Sequence, residues 1–245
     1  MTTCYCEIDS CVLCEARLYP GLTPEQVCHI RGLLIRQTYD AHDVLFRDGD
    51  PAGYLFAVRS GQIKLISSLP DGRQQILHLV VAGQLLGREA FNNRTYAYTA
   101  EALTEVNVCK ISSRDLQQVL EQNPSMSLRV IQTLIQELDQ TEMLIRDLGL
   151  KTAPEKVASF LLTLMPVHGN QTEDIPLLLS RREMAEMLGL TEETVSRVMA
   201  EFNRKKLIHT GKGTLRIGKP EHLCALAGLE PAAPAFVPGR LMPAQ

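Results

Sequence analysis

Pro124 separates two rhythms that no single repeating architecture can hold. Before it, short β-rich apolar runs are cut by turn signals at intervals of roughly 8–12 residues. After it, apolar residues recur in steps of three and four, the period of a helix. The early runs are 54–58, 62–66, 75–79 and 106–109, separated by Gly49, Gly61, Asp71-Gly72, Gly83 and Gly87. This pattern predicts a small antiparallel barrel or roll within 21–123. A helix is expected ahead of it, from 23 to about 37. There Thr23 caps, Pro24 takes the first helical position, and Val27, Ile30 and Leu34 share a face.

Beyond Pro124 the residues Ile131, Leu134, Leu138, Thr141, Ile145 and Leu148 form an a/d seam about three heptads long. A strip that narrow predicts pairing with a second copy of the chain, whereas a helix packed on the roll would carry a broader stripe. Thr141 weakens the seam, because a small polar residue at a d position packs poorly. A further helix is expected over 154–165, with Val157, Phe160, Leu161 and Leu164 on one face. Ser180-Arg181-Arg182-Glu183 is a capping box opening a helix to Leu188. Gly189 turns the chain, and Thr191 caps another helix running to about Lys206. Residues 207–209 and 214–217 then alternate around Gly211 and Gly213 as a hairpin. Two short helices, a glycine turn and a basic hairpin describe a winged helix-turn-helix. The fold class is α+β: an N-terminal antiparallel β-roll, a long dimerisation helix, and a C-terminal winged helix-turn-helix. The expected organisation is 1–20 cysteine-rich, 21–123 roll, 124–149 dimerisation helix, 150–229 DNA-binding domain and 230–245 a proline-rich disordered tail.

The 245 residues suit two domains. The longest apolar runs fall far short of the about 20 residues a bilayer span needs. No secretory signal is visible at the start, so a cytoplasmic protein is expected. Clustered cysteines there hold metal or do redox chemistry more often than they form disulfides. The net charge of −3 conceals nine Lys or Arg against five acids between 180 and 219, a basic stretch in an acidic chain. No Ser/His/Asp set, phosphate-cradling glycine loop or paired-carboxylate motif speaks for catalysis.

On the second helix of the pair, Glu193, Ser196 and Arg197 fall on one face, with Val195, Val198, Met199 and Phe202 on the other as core. Arg197 can fork onto guanine O6 and N7, Glu193 can accept from cytosine N4, and Ser196 suits base or phosphate. Arg181, Arg182, Arg204, Lys205, Lys206 and Lys212 would contact phosphates. The competing reading is a solvated helix with an i, i+4 Glu193–Arg197 pair.

Roll, pairing helix and winged helix-turn-helix, in that order, resemble the CRP/FNR superfamily over about residues 20–228, which implies a roll of the cupin-like, cyclic-nucleotide-binding type. The most specific stretch, 188–197 (Leu-Gly-Leu-Thr-Glu-Glu-Thr-Val-Ser-Arg), is similar to the recognition helix of FNR-type regulators. The resemblance implies reading of TTGAT-N4-ATCAA palindromes through Glu193, Ser196 and Arg197, and RNA polymerase as a partner. Polymerase-facing loops are expected near 67–72. Cyclic-nucleotide binders of the superfamily carry Gly-Glu-Leu and, about ten residues on, Arg-Ser or Arg-Thr. Here Gly87-Arg88-Glu89 and Tyr96-Ala97 stand in those places, which argues against cyclic AMP, although Arg94 lies nearby.

Cys4, Cys6, Cys11 and Cys14 crowd the N-terminus, and Cys109 ends a predicted strand. This resembles FNR-type oxygen sensors, in which three N-terminal cysteines and one distant cysteine hold a [4Fe–4S] cluster. The spacing C-x-C-x4-C-x2-C departs from their usual C-x2-C-x5-C. The resemblance implies Cys6, Cys11, Cys14 and Cys109 as ligands, with Cys4 spare, and DNA binding as a dimer that oxygen abolishes. A zinc site closed by the four N-terminal cysteines together, a thiol/disulfide switch, a haem or nitric oxide signal, and Cys109 as a mere core residue remain open. Cys28 and Cys224 read as core, and His78 and His168 carry no ligand spacing.

Overall fold

The computed structural model describes residues 22–92, 94–165 and 174–229. The cysteine-rich segment with Cys4, Cys6, Cys11 and Cys14, the expected tail at 230–245 and His168 lie outside the described residues. The chain divides between Leu138 and Asp139 into two compact units.

The first unit opens with α1 (Pro24–Leu33). Thr23 Oγ1 accepts from the Gln26 N–H at 3.3 Å while Gln26 Oε1 accepts from the Thr23 N–H at 2.8 Å, closing the capping box. The helix stops short of the expected 37. Leu34 is extended, and Ile35–Tyr39 becomes β1, antiparallel to β8 (Val106–Ser112). Ladder hydrogen bonds to β8 outweigh the helical pattern that runs on through Leu34.

Two four-stranded antiparallel sheets make the roll. One has the order β1-β8-β3-β6, with β3 (Tyr54–Ser60) and β6 (Leu85–Leu86). The other has β2-β7-β4-β5, with β2 (Val44–Phe46), β4 (Gln62–Ser68), β5 (Gln74–Val81) and β7 (Thr99–Ala102). Gly61 joins β3 to β4 at φ +89, where a Cβ would run into the Glu105 carbonyl, so only glycine fits this turn.

Strand alternation sorts β8 between two cores. Val106 and Val108 point into the roll among Phe46, Phe56, Val58, Ile63, Tyr96 and Tyr98. Cys109 and Ile111 point outward with Leu55 and Ala57, and meet Ile30 of α1, Leu116 and Val119 of α2 (Ser113–Gln122), and Met126 and Val130 of α3 (Pro124–Leu150). Leu22, at the edge of the described chain, packs against this outer cluster.

The second unit holds α4 (Ala153–Thr163), α5 (Arg181–Leu188), α6 (Glu192–Arg204) and α7 (Pro220–Ala227). A three-stranded antiparallel sheet, β10-β11-β9, accompanies them, built from β9 (Ile175–Pro176), β10 (Ile208–Thr210) and β11 (Thr214–Ile217). Both units together give the α+β architecture expected. Among the described residues no helix is long and apolar enough to cross a membrane.

Candidate nucleic-acid interface

The helix pair is set by local chemistry at each end. Ser180 Oγ accepts from the Glu183 N–H at 3.2 Å, and Glu183 Oε2 accepts from the Ser180 N–H at 2.9 Å, fixing the start of α5. Gly189 ends it at φ +61, a left-handed cap that costs glycine nothing. Thr191 Oγ1 then accepts from the Thr194 N–H at 3.2 Å and starts α6. Met184, Ala185, Met187 and Leu188 of α5 are buried, as are Val195, Val198, Met199 and Phe202 of α6. That burial leaves the opposite face of α6 open, and Glu193, Ser196 and Arg197 are all exposed on it.

Within α5 and α6 the ion pairs among the described residues are Arg182–Glu186 at 3.1 Å and Lys205–Glu201 at 2.6 Å. Glu193 and Arg197 are in neither, so the i, i+4 pair that competed with the base-reading role does not form. Lys205 holds the Glu201 carboxyl below its usual range. Arg204 and Lys206 are exposed, and Lys212 stands exposed at the hairpin tip between Gly211 and Gly213. Arg181 is the most enclosed of the basic set; it is partly buried, and its Nη1 lies 3.4 Å from Met184 Sδ. Arg216 is held by Asp174 at 2.9 Å.

On α3, Met126 and Val130 are buried in the outer cluster, and this fixes which side of the helix is open. Leu128, Ile131, Ile135, Leu138 and Ile145 are each half or more exposed. Ile131, Leu138 and Ile145 belong to the expected seam, and Thr141 is exposed. Leu134 is only about one-third exposed and Leu148 is partly buried. Leu128 and Ile135 were missed. The open stripe runs 128-131-135-138 because the roll covers the face two residues away, a tertiary fact that spacing alone does not carry.

Cys109 is 2% exposed in the outer cluster. Among the described residues no three His, Cys, Asp or Glu side chains converge as a metal site. Of the four expected thiolate ligands, Cys109 alone lies among the described residues, and its soft sulfur is the donor type an iron–sulfur cluster takes. A thiol sits in a dry apolar wall, and Leu22, eight residues past Cys14, packs on that same wall. Eight extended residues span at most about 28 Å, which brings the N-terminal cysteines within chain reach. Cys28 corrects the sequence reading: it is exposed, because two helical steps carry it to the far side of α1 from buried Ile30. Cys224 is partly buried.

In the roll, Arg88 Nη1 lies 3.2 Å from Glu137 Oε2 of α3, tying the segment after β6 to the long helix. Burial raises the Glu137 carboxyl above its usual range, against the pull of Arg88. His78 is pushed down to about 4 by burial, with Arg88 adding to the effect.

Comparison with known proteins matches residues 36–123 to the cyclic nucleotide-binding domain and 155–226 to the Crp-like helix-turn-helix domain. The chain is 35% identical over 189 residues to the transcriptional activator protein Anr of Pseudomonas aeruginosa, covering 76% of this chain and 78% of that protein. It is 34% identical over 230 residues to the transcriptional activatory protein AadR of Rhodopseudomonas palustris, covering 84% and 94%. Among solved structures, FixK2 from Bradyrhizobium japonicum superposes with a TM-score of 0.73 at 26% identity, covering 79% of this chain and 96% of that one.

Proposed function

The chain belongs to the CRP/FNR family of transcription regulators, and on that footing we propose that it is an oxygen-responsive, cytoplasmic activator that reads DNA as a homodimer. The observation that carries the DNA reading is the open face of α6, where an acid, a hydroxyl and a guanidinium stand exposed on a buried backing. Arg197 forks onto guanine, Glu193 accepts from cytosine N4, and Ser196 takes a neighbouring base or phosphate, on TTGAT-N4-ATCAA-like palindromes. Arg181, Arg182, Arg204, Lys205, Lys206 and Lys212 meet phosphates. Arg182 and Lys205 exchange a carboxylate for a phosphate at little cost, since exposed pairs are worth about 0–1 kcal/mol.

The stripe on α3 pairs with the same stripe of a second copy, through Ile131, Leu134, Leu138, Thr141, Ile145 and Leu148, extended by Leu128 and Ile135. Cys6, Cys11, Cys14 and Cys109 hold a [4Fe–4S] cluster, with Cys4 spare. When bound, such a cluster supplies the oxygen-labile chemistry. The chain's own part is to present Cys109 from a dry wall and to share that wall with Met126 and Val130 of α3, so that order at the thiol bears on the pairing helix. Arg88 already engages Glu137, which supports a roll that takes no cyclic nucleotide. The hairpin tip near 67–72 is the surface offered to RNA polymerase.

The sensing half is tested by an anaerobic absorbance spectrum with iron and sulfide assays, before and after air. The expected protein is brown, with about four iron per chain and a broad band near roughly 400 nm that bleaches in air. Cys109→Ser should lose the iron. Colourless protein carrying one zinc, or only oxidisable thiols, would sink the cluster and leave a DNA-binding dimer answering another signal.

A further inference from the structure

Asn203 sits in the last turn of α6, past the residues assigned to base reading. Its amide makes three hydrogen bonds. Nδ2 donates to the Met199 carbonyl at 3.1 Å and to Thr210 Oγ1 at 3.0 Å, and Oδ1 accepts from the Thr210 N–H at 3.2 Å. The first bond, back to the residue one turn earlier, sets the side chain's direction. The other two cross to β10.

That strand needs such a partner. Among the described residues β10 is the edge of the three-stranded sheet, with β11 alone beside it, so the Thr210 N–H faces away from the ladder. Ile208, Leu215 and Ile217 are buried and hold the hairpin base by apolar packing, which fixes contact but not direction. The Asn203 carbonyl also accepts from the Lys206 N–H at 2.9 Å, so one residue gathers the helix end, the turn and the strand. Two residues beyond Thr210 stands Lys212, on a tip closed by a Gly211 N–H to Thr214 carbonyl bond of 2.9 Å.

We infer that Asn203 is a positioning residue that locks the wing to the recognition helix, so that Lys212 meets a phosphate only while Arg197 meets its base. This rests on the DNA reading proposed above. A clamp of two crossing hydrogen bonds is a directional device, and hydrophobic packing at the hairpin base cannot replace it. Losing it leaves α6 and its exposed face in place and frees the tip.

The test is a double-mutant cycle on the full chain, purified anaerobically, with a duplex oligonucleotide carrying TTGAT-N4-ATCAA as probe and affinity measured across salt concentrations. Lys212→Ala should flatten the slope of log affinity against log salt by about one per chain. Asn203→Ala should flatten it equally, and the double variant should fall no further. A general loss of folding lowers the active fraction without changing this slope, so the readout separates positioning from stability. Thr210→Val, which removes one of the crossing bonds, gives a milder second variant and should flatten the slope in part. Additive changes in the double variant, or an Asn203→Ala slope equal to wild type, would overturn the inference. A slope untouched by Lys212→Ala would overturn it too; Arg197→Ala then tells whether the wing alone or the whole DNA reading has failed.

Discussion

Lys206 stands at φ +58 in the turn between α6 and β10, a left-handed conformation that costs a residue with a side chain about 1 kcal/mol and glycine almost nothing. Lys206→Gly should therefore hold or raise the thermal midpoint while weakening DNA binding without changing base preference, as removal of a phosphate contact does. Arg197→Ala should instead change base preference. It should leave the fold intact and lose about 1–3 kcal/mol of discrimination at one base pair, read as competition between matched and mismatched duplexes at fixed salt. His78 gives a pH signature. Its folded value of about 4 lies below the 6.5 of a free histidine, so the unfolded chain binds the extra proton between those values. The contribution is full above about pH 6.5 and is lost as the pH falls toward 4, a destabilisation of about 2–3 kcal/mol. His78→Gln should flatten the pH dependence of urea midpoints across that window. Arg88→Ala should move the His78 titration upward, followed by its ring proton in NMR.

At the scale of elements, α3 carries the most testable claim. Leu138→Glu puts a charge into the exposed stripe and should convert dimer to monomer in sedimentation, with no loss of monomer stability because Leu138 is already open to water. Met126→Ala, on the buried side, should instead cost stability by about 2–5 kcal/mol. These two outcomes differ because one helix faces two ways, and this is also where the sequence was only half legible. Steps of three and four fit both the stripe through Ile135 and the one through Leu134, and the choice is made by which side the roll covers. α2 went unread because Ser112, its cap, is itself the last residue of β8, so no turn residue separates strand from helix. β1 went unread because its five residues continue a helical pattern and declare themselves only by pairing with β8. By contrast, the helix-turn-helix was legible almost residue by residue. Its boundaries are set by Ser180, Glu183, Gly189 and Thr191, whose chemistry acts within a turn of the chain. Asn203 left no trace in the sequence, since a polar residue in a last helical turn is ordinary and its partner on β10 is a matter of folding.

For the whole molecule, a symmetric dimer reads a symmetric site. The two half-sites should lie one helical turn apart, about 34 Å, and inserting five base pairs between them should abolish tight binding by turning one half-site to the far face of the duplex. The proposed coupling between thiol and seam need not be large. A shift of about 3 kcal/mol changes a dimer population by roughly a hundredfold, within reach of a cluster of side chains that Cys109 and α3 both belong to. The most direct measurement is a single anaerobic titration of the TTGAT-N4-ATCAA duplex with the purified chain, repeated on the same sample after air is admitted. Tight, sequence-specific binding is expected before air and its loss afterwards, together with a shift from dimer to monomer. Equal binding in both conditions would overturn the proposed oxygen-responsive function.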